Sequence, residues 1–149
     1  MAKTYHKNIP ASYLILMKDN QVLLLRRFNT GYGDGNYSLP AGHVDPGETF
    51  TQCIMREGLE EIGVTIHQQQ LSLSHIMHRN NPMKKNDERI DAFFIAKKWE
   101  GEIENKEPHK CDDLSWFSLD DLPENILPYV KKVLGYINQG VFYSEFGWE

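Results

Sequence analysis

The chain has 149 residues, of which 21 are acidic and 16 are basic, so its formal net charge is −5. At this length we expect a single domain over residues 1–149, with a core large enough to fold without a disulfide or a structural metal. The negative charge argues against a nucleic acid polymer as partner, because such a polymer attracts a basic surface.

Targeting and redox features are few in this sequence. No apolar run approaches the ~18 residues of a membrane span, and the first residues lack an apolar leader with a small-residue cleavage site. We therefore expect a cytoplasmic protein without a membrane partner. Cys53 and Cys111 lie far apart and outside any C-x-x-C pattern, so both are expected to be buried, reduced thiols.

The first predicted elements form a hairpin. Residues 12–17 (SYLILM) and 22–26 (VLLLR) are short runs of strand-forming residues separated by a polar turn. Residues 29–36 (NTGYGDGN) hold three glycines and several turn formers, so they should lack regular structure. A short strand is expected to follow at residues 37–39.

A helix over residues 50–62 is the next predicted element. Thr49 is a good N-cap, and Gln52 three residues later completes a capping-box pattern. Gly63 provides the stop at the C-terminal end. The apolar face of this helix is expected to contain Ile54, Gly58, Ile62, Met55 and Leu59.

The later segments alternate between strand patterns and polar loops. Strands are predicted at residues 64–66, 71–79, 90–99 and 114–117. Pro128 introduces a second helix over residues 129–138. This order of strands around a central helix predicts an α/β layered domain with a mixed sheet.

Three glutamates, Glu57, Glu60 and Glu61, fall on one arc of the predicted helix, which turns about 100° per residue. Like charges at this spacing destabilise an isolated helix, so we expect a compensating cation. The preceding loop, residues 42–48 (GHVDPGE), allows backbone oxygens to approach a ligand closely. Carboxylate and backbone oxygens are the donors that Mg²⁺ prefers. A solvated acidic face is the alternative interpretation.

The same segment resembles the Nudix box, G-x5-E-x7-R-E-U-x-E-E-x-G-U, in which U is a bulky aliphatic residue. Residues 42–64 match it from Gly42 through Glu48 and Arg56 to Val64, and eight of nine constrained positions agree. The exception is Gly58, which stands at the first U position. The resemblance implies a Nudix fold, with a mixed sheet between helices in an α/β/α sandwich.

The resemblance also implies roles for individual residues. Glu57, Glu60 and Glu61 would bind Mg²⁺, for which Mn²⁺ can substitute, together with the main-chain carbonyl of Gly42 or Ala41. Glu48 would pair with Arg56 and fix the loop against the helix. For a further carboxylate from a later loop, the candidates are Glu107 and its competitors Glu104 and Asp112.

The implied activity is hydrolysis of the pyrophosphate linkage of a nucleoside diphosphate derivative. The first expectation is cleavage of a nucleoside triphosphate, normal or modified, to the monophosphate and pyrophosphate. ADP-ribose or an NDP-sugar is the alternative substrate, and a nucleotide sensor without turnover is the alternative function. The intact glutamates argue against a sensor. A homodimer is left open.

Candidates for substrate binding come from cations and aromatic residues near strand ends. Arg26, Arg79 and Tyr13 are the chosen candidates, with Arg27 and Lys84 as further cations. The other aromatic residues considered for stacking on a base are Phe28, Tyr32, Tyr37 and Trp116. His75 and His78 lack the spacing of a zinc site.

Overall fold

The computed structural model describes residues 2–148, which form a mixed sheet with a helix packed on each face. The strands are β1 (Ile9–Lys18), β2 (Gln21–Arg27), β3 (Tyr37–Ser38), β4 (Ala41–His43), β5 (Leu71–Arg79), β6 (Arg89–Ala96), β7 (Cys111–Ser118) and β8 (Tyr143–Phe146). The helices are α1 (Phe50–Ile62) and α2 (Pro128–Tyr136), with short 3₁₀ turns at Gln68–Gln70 and Ile137–Gln139. The strand order is β3-β2-β1-β6-β5-β8, with β4 on β1 and β7 on β2.

Strand β1 shows why the sheet lies between two cores. Its side chains alternate between the two faces, as in any strand. Tyr13 and Ile15 lie in the core that contains α2, whereas Leu14 and Leu16 lie in the core that contains Ile54 of α1. The expected α/β/α sandwich with a mixed sheet is confirmed.

Helix α1 begins and ends where its sequence signals predict. The Thr49 side chain accepts a hydrogen bond from the Gln52 N–H (3.0 Å), and the Gln52 side chain accepts one from the Thr49 N–H (2.9 Å). Gly63 closes the helix in the left-handed conformation at φ 73°, which favours glycine. One expectation for the apolar face is wrong, because Leu59 is 55% exposed.

Gly58 lies on the buried face of α1, where a methyl group would fit. A Cβ atom built there would lie 3.5 Å from Ile66 Cδ1 and 3.7 Å from Leu14 Cδ2, which are ordinary contacts. We expect Gly58→Ala to raise the free energy of unfolding by about 0.5–1 kcal/mol, because it lowers the entropy of the unfolded chain. Denaturant unfolding measures the change.

A matched control for this substitution is Gly135→Ala in α2. Gly135 is exposed, and a Cβ there would meet no atom of the described residues within 4 Å. The control should show the backbone effect without new packing. A loss of stability in Gly58→Ala beside a gain in Gly135→Ala would show that the interface of α1 with the sheet has no room for a methyl group.

Several predicted elements differ from the observed ones. Residues 64–66 form no strand beyond an isolated bridge between Thr65 and Glu100, because the buried Val64 and Ile66 pack against the core of α1 instead. Strands β4 and β8 were not expected, since neither has a strand-like sequence pattern of useful length. The second helix ends at Tyr136, and a 3₁₀ turn continues to Gln139.

Two further expectations concern cysteines and membranes. Cys53 and Cys111 are both buried and free, as predicted. Within residues 2–148, no helix has the length and apolarity needed to cross a membrane. The cytoplasmic location stays a prediction.

The sheet opens between its first two strands. Strands β1 and β2 pair only at their hairpin end, through Met17 with Val22 and Lys18 with Gln21. Beyond that point β1 pairs with β4, whereas β2 pairs with β3 and β7. The space between these two groups of strands becomes a cleft.

Candidate active site

A cleft of about 640 Å³ lies where β1 and β2 have separated, and it receives acidic side chains from several elements. Glu57, Glu60 and Glu61 reach it from α1, and Glu107 reaches it from the loop before β7. Gly42 of β4 also lines it. The structure therefore brings together the residues proposed from sequence for a metal ion. Glu104 and Asp112, the competitors of Glu107, are not among the lining residues.

Arg56 ties the loop before α1 to the helix itself. Its Nε and Nη2 donate to the two carboxylate oxygens of Glu48, at 2.8 and 3.0 Å, which is the expected ion pair in bidentate form. Its Nη1 donates to Glu57 at 2.6 Å and to Glu60 at 3.3 Å. Hydrogen bonding from Arg56 lowers the pKa of Glu48 to about 2, so Glu48 is ionised at neutral pH.

Glu61 reaches the cleft from the last turn of α1. Its Oε2 accepts a hydrogen bond from the Ala41 N–H at 3.1 Å. Burial raises the pKa of Glu61 well above its ordinary value, and the nearby negative charges of Glu57 and Glu107 raise it further. Burial also raises the pKa of Glu57. The site thus concentrates negative charge that favours either a proton or a cation.

The absence of a side chain at Gly42 makes room for Glu57. A Cβ atom on Gly42 would overlap the Glu57 carboxylate and lie 2.6 Å from its Cγ. The backbone of Gly42 and the Glu57 carboxylate are therefore close neighbours, and only glycine permits this approach.

These residues also fit a divalent ion chemically, although they are not arranged around one point. Among residues 2–148, no group of three or more His, Cys, Asp or Glu side chains forms a ready metal-binding set. The reason is that Arg56 engages oxygens of Glu57 and Glu60, and Glu61 is bonded to the backbone. The donors are carboxylate and backbone oxygens, which suit Mg²⁺. Because Gly42 has no side chain, the Glu57 carboxylate can lie directly beside its backbone. A bound ion would take over oxygens that Arg56 now engages.

Two of the three substrate-binding candidates lie at the cleft. Tyr13 and Arg79 line it, both with little exposure. Arg26 does not, because its Nε donates to Asp112 at 2.7 Å on the outside of the cleft. Its neighbour Arg27 lines the cleft instead. Adjacent residues of a strand point to opposite faces, and a bulge lies between these two, so the sequence could not decide which arginine faces inward.

Of the remaining aromatic and basic candidates, Tyr32 and Lys84 line the cleft, whereas Phe28, Tyr37 and Trp116 do not. Sequence reasoning missed four further basic or aromatic residues there, which are His43, Arg89, Lys110 and Tyr129. His43 follows directly on Gly42, which was a usable signal, but Tyr129 lies on α2 and reaches the cleft only through tertiary packing. Burial and the positive charge of Arg89 lower the pKa of His43.

Comparison with known proteins gives one family. A family model described as NUDIX domain matches residues 7–135. Among curated relatives, the NAD-capped RNA hydrolase NudC of Stutzerimonas stutzeri is 32% identical over 133 residues, which are 89% of this chain and 44% of the relative. The protein of the same name from Pseudomonas aeruginosa (strain LESB58) is 34% identical over 119 residues, which are 80% of this chain and 39% of the relative. The chain spans less than half the length of these relatives.

Solved structures share the fold. The MutT NUDIX hydrolase from Burkholderia pseudomallei has a TM-score of 0.79 at 24% identity, with 87% of this chain and 98% of that chain covered. The MutT protein from Methanosarcina mazei Go1 has a TM-score of 0.76 at 21% identity, with 91% and 97% covered. At these identities the likeness concerns the fold alone.

Proposed function

The chain belongs to the NUDIX family, as its box at residues 42–64 predicted, and from this premise we propose that it is a Mg²⁺-dependent hydrolase of nucleoside diphosphate derivatives. The bond broken would be the pyrophosphate linkage. The observation that supports this proposal best is the meeting of Glu57, Glu60, Glu61 and Glu107 beside Gly42 in one cleft.

Nudix hydrolases generally use divalent metal ions. In this chain Glu57, Glu60 and Glu61 would hold the ion, with Glu107 and the carbonyl of Gly42. When bound, such an ion neutralises charge on the pyrophosphate oxygens. Through its two hydrogen bonds to Glu48, Arg56 holds the loop that follows Gly42 against α1. A carboxylate oxygen of the cluster accepts the proton of the attacking water.

Binding of the phosphates falls to the basic residues of the cleft. Arg27, Lys84 and Lys110 line it, and none forms an ion pair within 4 Å among residues 2–148. Their charge is available for an anion. By contrast, Arg79 and Arg89 are already paired with Asp91 and Asp87. The three cations therefore suit the charge of a pyrophosphate linkage.

The first substrate class we propose is a nucleoside triphosphate, cleaved to the monophosphate and pyrophosphate. A dinucleotide with an internal pyrophosphate is the second, because the curated relatives named above are NAD-capped RNA hydrolases. Those relatives are named for a polymer substrate, so the expectation that no nucleic acid polymer binds this chain stays a prediction. The homodimer also stays a prediction. ADP-ribose and NDP-sugars are the other members of the class.

Metal removal tests this proposal. We expect a panel of normal and oxidised nucleoside triphosphates, ADP-ribose, NDP-sugars and NADH to include substrates that turn over with Mg²⁺ or Mn²⁺ and not in EDTA. Circular dichroism should be the same in both conditions, because the core is large enough to fold without metal. Product identification shows which bond breaks.

Each other outcome of this experiment rejects a different part of the proposed function. Turnover that continues in EDTA rejects the metal requirement, and unfolding in EDTA rejects the metal-independent fold. Nucleotide binding without turnover under any condition supports a sensor instead of an enzyme. Restoration of turnover by excess Mg²⁺ after EDTA is the control for irreversible damage.

A further inference from the structure

The cleft is lined in part by a buried arginine, Arg79, that three other side chains hold in place. Arg79 ends β5 and is 7% exposed, and its Nε donates to Asp91 Oδ2 on β6 at 2.7 Å. Its Nη2 donates to the Tyr13 hydroxyl at 3.0 Å. The ring of Tyr129 covers the guanidinium, with 3.8 Å between the guanidinium carbon and the ring centroid. This side chain is therefore fixed before any ligand arrives.

The remaining nitrogen of Arg79 has no partner in the described chain. Nη1 forms none of the hydrogen bonds found among residues 2–148, and Arg79 lines the cleft. Tyr13, Tyr129 and Ala11 line the same cleft and have little exposed surface. The cleft lining around Arg79 thus combines buried apolar and aromatic side chains with hydrogen-bond donors that are held in one place.

The charges of Arg79 and Asp91 indicate what kind of hydrogen-bond acceptor on a ligand fits beside Arg79. Arg79 and Asp91 form a buried ion pair, so their charges cancel. The cleft cations without such a pair, Arg27, Lys84 and Lys110, are better suited to phosphates. A neutral acceptor on a flat ring, such as the carbonyl oxygen of a heterocycle, suits a paired arginine above aromatic side chains.

We propose that Arg79 determines base specificity by donating from Nη1 to a ring carbonyl of the substrate, and that Asp91 is the positioning residue which orients it. The inference rests on the proposed function, which it deepens by naming the base class. Bases with a keto group at the recognised position, as in hypoxanthine, guanine and uracil, should be favoured over those with an amino group there. An amino group would face the N–H donors with another donor, and neither would be satisfied.

Matched nucleotide pairs test this idea directly. ITP and ATP differ at C6 of the base, and UTP and CTP differ at C4, where a carbonyl oxygen replaces an amino group. We expect the wild-type protein to prefer the keto member of a pair by about 10-fold or more in kcat/KM. Equal kcat/KM values within both pairs would overturn the inference, as would a preference for the amino members.

The substitutions must not leave Asp91 without Arg79, because its Oδ1 is already buried and has no hydrogen-bond partner among residues 2–148. Arg79→Lys keeps the charge, but its single nitrogen goes to Asp91 and none remains at the position of Nη1. The double variant Arg79→Met, Asp91→Leu removes both charges together. Both variants should bring the ratio of kcat/KM for the keto and amino members of a pair toward 1.

The control is Arg26→Lys. Arg26 is also paired with an aspartate but lies outside the cleft, so the kcat/KM ratio of this variant should equal that of the wild type.

Binding of monophosphates separates this inference from the proposed catalysis. Dissociation constants of IMP and AMP, measured by calorimetry in EDTA, need no turnover. Tighter binding of IMP that Arg79→Lys abolishes supports the specificity role even where no nucleotide is hydrolysed. Turnover of triphosphates together with equal IMP and AMP binding rejects the role of Arg79 and leaves the hydrolase intact. A keto preference that persists in both Arg79 variants also rejects it.

Discussion

Glu61→Gln is expected to lower turnover by about 100-fold or more, because it removes one carboxylate from the acidic cluster of the cleft. An amide oxygen is a weaker ligand for Mg²⁺ than a carboxylate, and it cannot accept a proton as a base. General base catalysis alone contributes about 10²–10⁴-fold. Steady-state kinetics at saturating Mg²⁺ measures the loss, and it should lie in kcat.

The same substitution should stabilise the metal-free protein. Glutamine retains an oxygen that accepts the Ala41 N–H, so the hydrogen bond of Glu61 is kept. Burial and the charges of Glu57 and Glu107 raise the pKa of Glu61, which means that the folded protein binds this proton more tightly than the unfolded chain does. Ionisation of Glu61 therefore costs stability.

The sign of the pH dependence follows from that raised pKa. The stabilising effect of Glu61→Gln should be absent below the unfolded pKa of about 4.3 and should grow as pH rises to the folded pKa. Unfolding in EDTA across this range measures it. Glu102→Gln, which changes an exposed glutamate, is the control for both properties. Full activity with reduced stability in Glu61→Gln would show that the acidic arc is structural.

The part of the fold that the sequence predicted is the part that local signals determine. Helix α1 has its observed bounds because Thr49, Gln52 and Gly63 satisfy its ends with their own side chains and backbone. The three glutamates of α1 share the cleft because helical spacing alone places them on one side. Neither result depends on contacts that are distant in sequence.

The remainder depends on pairings that no local pattern encodes. Strand β8 forms through parallel pairing with β5, where His75 bonds to the Val141 carbonyl and the Ser144 hydroxyl at 2.8 Å each. Arg79 and Asp91 meet because β5 and β6 are neighbours in the sheet. A search of the sequence finds both residues but gives no reason to join them.

Gly42→Ala should abolish most of the activity while leaving the fold nearly intact. The new methyl group would overlap the Glu57 carboxylate, so the flexible Glu57 side chain must move out of its place beside β4. A shift of this kind misplaces one carboxylate relative to Glu60 and Glu61, and misplacement by about 1 Å is worth about 100-fold in rate. We expect a loss of that size or more, measured as kcat with Mg²⁺.

Stability distinguishes this explanation from simple disruption of the loop. Only a side-chain end has to move, so the free energy of unfolding should change by less than about 1 kcal/mol. Gly58→Ala is the matched control, since it makes the same chemical change at a position of α1 where a methyl group fits, and it should keep full activity. Wild-type turnover in Gly42→Ala would mean that catalysis does not need Glu57 in its place beside Gly42. Because Glu57 is central to the proposed site, that result would move the metal ligands toward Glu60, Glu61 and Glu107.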